Sequence, residues 1–393
     1  MGAPEVRWPR SRCYDDHARP FEPGDLIAVS RLNTFLQGLR VVDVSAYLPG
    51  PMASLLLADM GAEVLKIEPP QGDGMRLLGP RDASGKPLFH AAVNAGKTVC
   101  RIDLKSPHGR QEFLRRIDTA DVLIEGFRPG VMARLGLDYD TLRVRNPGLI
   151  FCSLSGYGAV GPLAQTAGHD ANYLALAGVL HRNGVPPRFF DPPVADVTSS
   201  LFAALAILGA VNGRRRDGLG CHIDLGIADV AMPLQLFEVA ACGANGTVPQ
   251  PEETYLNGGA AYYHVYATAD RRHVVLGAVE AKFWRCFCEA AGHPDWIERQ
   301  SEPLPQQALI GDLASFFAEL HLTACVARFA AGDCCVTPVL DLAEALHSAH
   351  HRERGVVRQC PDGGLQALFP ALVDGQPPAT RPDFEFQEMK ARE

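Results

Sequence analysis

The sequence has no GxGxxG turn placed after a strand and no Walker A loop, which sets aside dehydrogenases and ATPases. It also has no concentrated run of basic residues. Its 37 Lys and Arg stand against 45 Asp and Glu, a net charge of −8, and the cations are scattered. A nucleic-acid surface needs a basic face, so that class is set aside as well, and Arg214-Arg215-Arg216 reads as a solvated loop. A small anionic ligand remains possible, because a few local cations or helix N-termini hold phosphates. No Cys or His spacing marks a metal site, and the eleven cysteines, odd in number and dispersed, do not make a disulfide framework. They read as small buried hydrophobes in a reducing cytosol. No secretory leader precedes them. No apolar run approaches the roughly 18 residues of a membrane span, and the chain ends Ala-Arg-Glu, not in a peroxisomal tripeptide. A cytoplasmic protein is expected.

What the 393 residues do contain is 47% hydrophobic and 21% charged side chains, enough for one large domain with an insertion or for two domains. Residues 1–35 mix five arginines with five acids and several prolines, and read as a loose extension. From Leu39 the texture changes. LRVVDVS (39–45), AEVLKIEPP (62–70), KTVCRIDL (97–104), DVLIEGF (121–127) and LIFCSLSGYG (149–158) are short apolar, β-branched runs. Helical stretches alternate with them, one opened by the N-cap candidate Ser106. This alternation predicts a parallel, Rossmann-like α/β sheet with right-handed crossovers over residues 36–240. Residues 240–260 read as a linker, 241–340 as a smaller α+β domain with a hairpin at Ala269-Asp270, and 341–393 as a return to the first domain.

Three places concentrate titratable groups at element ends. His169 and Asp170 precede an apolar helical run, where unpaired N–H groups favour negative charge on a ligand; Asp170 could equally be an N-cap and His169 a loop residue. Asp196 joins a Pro-rich segment to an apolar helix, and a structural cap is the alternative. Glu280 ends HVVLGAV, either functional or a solvated helix start.

Taken together, LQGLRVVDVSAYLPGPMASLLLADMGAEVLKIEPP, DVLIEGFRPGVMARLGL, AGHDANYLALAGVL, GLGCHIDLGIADVAM and NGGAAYYHVYATAD resemble the class III CoA-transferase family, and within it the alpha-methylacyl-CoA racemase branch. The resemblance covers about Leu36 to Arg354. It implies an interlocked homodimer, an acyl-CoA substrate with no permanently bound cofactor, and no metal. His169 matches the His of the GHDxxY motif, Asp196 the acid of the opposite face, and Glu280 the carboxylate that keeps His169 basic. The Asp170 N–H would receive the enolate oxygen. In the transferases of the family the residue matching Asp170 is instead a nucleophile, so CoA transfer is the alternative and an inactive CoA-binding homologue a third. Arg128 and Lys97 are implied as phosphate or adenine contacts, with backbone donors near Gly50. The chain departs from the family at Ala95 and Pro69, in the glycine-poor TSSLFAALA, and in its short tail.

Overall fold

The structure, a computed structural model, describes residues 30–360 and 363–387. They divide into two compact units, the larger built from 30–179, 189–236 and the described residues from 350 on, the smaller from 180–188 and 237–349. Of the expected loose extension, residues 1–29 lie outside the described residues. The remainder is not loose: Arg31–Thr34 form a 3-10 turn capped by Ser30, with Leu32 buried.

The larger unit alternates β1 (Arg40–Asp43), α1 (Pro49–Asp59), β2 (Glu63–Glu68), α2 (Leu88–Asn94), β3 (Thr98–Arg101), α3 (Pro107–Ile117) and β4 (Val122–Glu125). It continues through α4 (Val131–Leu135), α5 (Tyr139–Arg145), β5 (Ile150–Ser155), α6 (Asp170–Leu176), α7 (Val194–Arg214) and β6 (His222–Gly226). Helix α8 (Leu236–Asn245) follows, and occupies the start of the stretch read as a linker. A hairpin of β10 (Val357–Gln359) and β11 (Leu365–Ala367) precedes the last strand, β12 (Glu385–Phe386); the smaller unit between them holds β7 to β9, described below.

Seven strands make one parallel sheet in the order β12-β3-β2-β1-β4-β5-β6. Strands covered on both faces should be apolar throughout, and β4, VLIE, is buried at every position. Ile67, Leu123, Phe113 and Ile117 belong to one cluster beneath α3, whose N-terminus is held by Ser106 Oγ accepting the Gly109 N–H at 3.0 Å. The chain winds from β1 outward through β2 and β3, then restarts at β4 and winds the other way. Loops leaving β1 and β4 therefore diverge, opening a crevice beyond the carboxyl ends of these two strands.

Helix α7 corrects one sequence expectation. It is 21 residues long and apolar enough to cross a membrane. The fold uses part of that apolarity for packing, since Ala203, Ala204 and Ile207 are buried and the helix lies against α1, α6 and β5.

The smaller unit is an antiparallel sheet of β7 (Tyr263–Ala267), β8 (His273–Gly277) and β9 (Val336–Pro338). Helices α9 (Ala281–Ala291), α10 (Gln307–Ala318) and α11 (Leu322–Phe329) pack on it through an aromatic core. There Phe287 stacks on Trp284, Phe317 and Phe329 with ring centroids 5.2–5.9 Å apart.

Candidate active site

The N-termini of α6 and α7 meet. The chain enters α6 through Gly168 and His169, and the His169 N–H donates to Asn172 Oδ1 at 3.0 Å, fixing the entry angle. Pro193, which precedes α7, offers no capping side chain. Asp170 supplies the missing acceptor from the neighbouring helix: its Oδ1 takes the N–H of Ala195 at 2.7 Å and that of Asp196 at 3.2 Å. Two of α7's orphan donors are thus satisfied by a carboxylate on α6, with the favourable sign for a helix N-terminus. Asp170 is therefore a cap, though of another helix than the one it begins. Its own backbone N–H, at the first position of α6, has no protein acceptor among the described residues.

Asp196 follows within the first turn of α7. Burial pushes its carboxyl up to about 6; the Asp170 charge pushes the same way, while His169 pulls it back. The imidazole, exposed at the surface, and the two carboxyl groups thus form one electrostatic cluster. Behind them stand two residues the sequence reading did not single out. Tyr173 Oη donates to the Gly168 carbonyl at 2.6 Å, and its ring meets Tyr157 edge-on at 5.2 Å. Its hydroxyl is pushed up to about 12 by burial and by Asp196. A Cβ at Gly168 would lie 2.7 Å from Tyr157 Oη, and one at Gly156 2.6 Å from Tyr173 Oη, so both glycines make room for the tyrosine pair. The tyrosine of AGHDANY was the available signal. Tyr157 carries no such mark, because its partner lies across the fold.

The crevice end of the sheet is held by buried charge. Asp43, fully buried, would be raised by burial alone. Lys66 and Lys97, with hydrogen bonds from Ser45 and Ser54, hold it below the usual carboxylate range instead. Lys66 also pairs with Asp73 at 3.3 Å, and Asp73 Oδ1 accepts the Tyr47 and Met75 N–H groups, so the loop after β1 is pinned from two sides.

The residues expected to contact CoA are placed as follows. The Lys97 ammonium is buried and donates to the Pro51 carbonyl at 2.7 Å, Ser54 Oγ at 2.8 Å and Asn94 Oδ1 at 3.2 Å, leaving it occupied within the protein. Near Gly50 the expected row of backbone donors reduces to one, since both neighbours at the start of α1, Pro49 and Pro51, have no N–H. Gly50 is needed for close approach: a Cβ there would lie 2.0 Å from Ser45 Oγ. Arg128 is placed differently. It is exposed just beyond β4, and its guanidinium has no partner among the described residues. Glu125, at the end of the same strand, is a further buried carboxyl that sequence reading missed. Burial raises it, and it accepts the Phe127 N–H at 2.8 Å.

Glu280 lies in the smaller unit as the exposed N-cap of α9, without a capping bond from its own side chain. No group of three or more potential metal ligands occurs among the described residues. A cavity of about 490 Å³ opens at the opposite, amino-terminal edge of the sheet, and Arg214 lines it. Arg214 pairs with Asp121 at 2.8 Å and with the Gly148 carbonyl at 2.9 Å, so this part of the triple arginine is not a solvated loop. The chemistry-bearing groups are not there.

Comparison with known proteins agrees with the α/β fold. The profile of CoA-transferase family III matches residues 36–383. The human protein named alpha-methylacyl-CoA racemase is 34% identical over 334 residues, covering 81% of each chain. Acetyl-CoA:oxalate CoA-transferase of Acetobacter aceti is 31% identical over 322 residues, covering 78% of this chain and 81% of that one. A crystal structure of a CAIB/BAIF family protein from Brucella suis superposes with a TM-score of 0.76 at 26% identity, covering 88% of this chain and 96% of the other. The chain belongs to CoA-transferase family III.

Proposed function

We propose that this enzyme racemises 2-methylacyl-CoA thioesters, moving the proton on the carbon beside the thioester carbonyl. The observation that carries the proposal is that His169 stands within electrostatic reach of an Asp196 carboxyl pushed up to about 6, at the meeting point of two helix N-termini. A thioester α-proton is weakly acidic. A base on one face must remove it while a donor stabilises the enolate oxygen, and an acid on the other face returns a proton with inverted configuration. His169 and Asp196 take these two roles and exchange them in the reverse direction; a positioned acid or base contributes on the order of 10²–10⁴ per transfer. The unoccupied Asp170 N–H is the oxyanion donor. Arg128 is the cation proposed for the CoA phosphates, and CoA enters as part of the substrate. Glu280 is proposed as the carboxylate that sustains the basicity of His169. The working form is proposed to be a homodimer.

A second reading is CoA transfer between an acyl-CoA and a carboxylic acid. Only Oδ1 of Asp170 is taken up by the α7 N–H groups, so Oδ2 is the oxygen that would form the aspartyl anhydride. Proton NMR of 2-methylacyl-CoA with the enzyme in D₂O, without an acceptor acid, separates the readings. Loss of the α-proton signal with loss of optical purity is expected. No exchange, but CoA transfer once a carboxylic acid is added, replaces racemisation with transfer. Neither reaction, with CoA-ester binding retained, identifies an inactive homologue.

A further inference from the structure

Away from the candidate site, the smaller unit brings together cysteines that are far apart in the chain. Cys286 lies midway along α9, and Cys334 lies just before β9. Their sulfurs are 3.3 Å apart across 48 positions of sequence. Gly332 makes this meeting possible. A Cβ built there would be 2.8 Å from Cys286 Sγ and 3.1 Å from Cys334 Sγ, so the two sulfurs fill the space a side chain would take. The next residue, Cys335, sits at φ 52, a left-handed conformation that turns the chain into β9. Cys334 is buried and Cys286 only half-buried, so one sulfur of the pair can meet a solute.

We propose that Cys286 and Cys334 are a dithiol that a peroxide oxidises to a disulfide tying α9 to β9. Cys286 as thiolate attacks the peroxide O–O bond, forming its sulfenic acid and releasing hydroxide, which takes up a proton to become water. The Cys334 sulfur then displaces hydroxide from the Cys286 sulfur. The Cys334 proton leaves with that hydroxide as a second water, so one peroxide accepts the two electrons given up by two thiols. The order of events follows from environment: burial and the adjacent Cys286 push the Cys334 thiol up to about 12, leaving it as the resolving partner. Helix α9 is the element that Glu280 caps, so the bond would form on the same element as a residue proposed for the reaction. The dithiol itself stands apart from that proposal, because its test reads a bond and not a turnover.

The full chain, folded and treated with hydrogen peroxide, is alkylated and digested for peptide mass measurement. The peptides carrying Cys286 and Cys334 should appear joined, lighter by two hydrogens, and should separate again with dithiothreitol. Cys286→Ser and Cys334→Ser should each abolish the joined species. Gly332→Ala keeps every cysteine but presses a methyl group against both sulfurs, and should lower its yield several-fold with the circular dichroism spectrum unchanged. Alkylation of both cysteines after peroxide, or a joined pair of Cys286 with Cys335 instead, overturns the assignment. So does an undiminished yield in a folded Gly332→Ala protein.

Discussion

Burial pushes the Asp196 carboxyl from its ordinary value of 3.8 up to about 6, and this has consequences for stability as well as for chemistry. Between those two values the folded state binds a proton that the unfolded chain releases, so the contribution of this group falls as pH rises from about 4 to about 6. Above that window the folded protein carries the full cost of an ionised, partly desolvated carboxylate. A rise of this size corresponds to about 3 kcal/mol, reduced to about 1–2 kcal/mol by partial solvation. Asp196→Asn, which mimics the protonated form, should therefore raise the melting temperature at pH 7 to 8, with the gain vanishing below about pH 4. The same variant should abolish α-proton exchange. Thermal unfolding across this range, beside the NMR assay, checks both halves. Asp170 allows a cleaner separation of the two reactions. Asp170→Asn keeps an oxygen to accept the Ala195 and Asp196 N–H groups but lacks a nucleophilic carboxylate. Racemisation should survive this change within about tenfold, whereas an anhydride route should be lost. Asp170→Ala removes the cap as well and should cost about 0.5–2 kcal/mol of stability in either case, measured by denaturant titration.

At the scale of the element, what was legible in the sequence was what is encoded locally. The expected strand at 39–45 is observed as Arg40–Asp43 and that at 149–158 as Ile150–Ser155, because buried parallel strands are nearly continuous apolar runs. Ser106 caps α3 through a bond three residues long, which spacing alone can suggest. By contrast, the short helices α2 and α5 carry no clear local signal, and the end of α8 falls in the stretch read as a linker, because Gly243 and Asn245 argue for a break rather than a helix. Long-range pairing was invisible too. Asp170 caps α7 across 25 residues, and nothing local distinguishes that from capping α6. The burial of Lys97 is hidden for the same reason, since its partners Pro51, Ser54 and Asp43 arrive from β1 and α1. Burial lowers the Lys97 ammonium to about 7, despite the pull of Asp43. The unfolded chain then binds more protons between pH 7 and 10, so this group's contribution to stability rises with pH across that window. Lys97→Met should remove that rise. It should also cost about 3–5 kcal/mol near pH 7, because Asp43 stays buried with one cation fewer; urea titrations at pH 7 and 9.5 measure both effects.

For the molecule as a whole, the exposed face of α7 would link the candidate site to the proposed homodimer. One face packs on the fold through Ser199, Ser200, Ala203 and Ile207, which are buried. The other carries Leu201 and Leu205, 50% and 64% exposed, on a helix whose first turn holds Asp196. A protein surface rarely leaves large aliphatic side chains in such a row without covering them, and a leucine fully covered contributes about 1.5–3 kcal/mol. In the proposed homodimer the second copy covers this face, so assembly and the position of Asp196 depend on the same helix. Replacing both leucines by glutamate should shift the species measured by light scattering after gel filtration from two chains to one. It should lower α-proton exchange by more than tenfold, although neither residue belongs to the proton-transfer set. A variant that stays dimeric with full activity would place the interface elsewhere. A variant that is monomeric and fully active would separate catalysis from assembly, leaving the α6–α7 junction sufficient by itself.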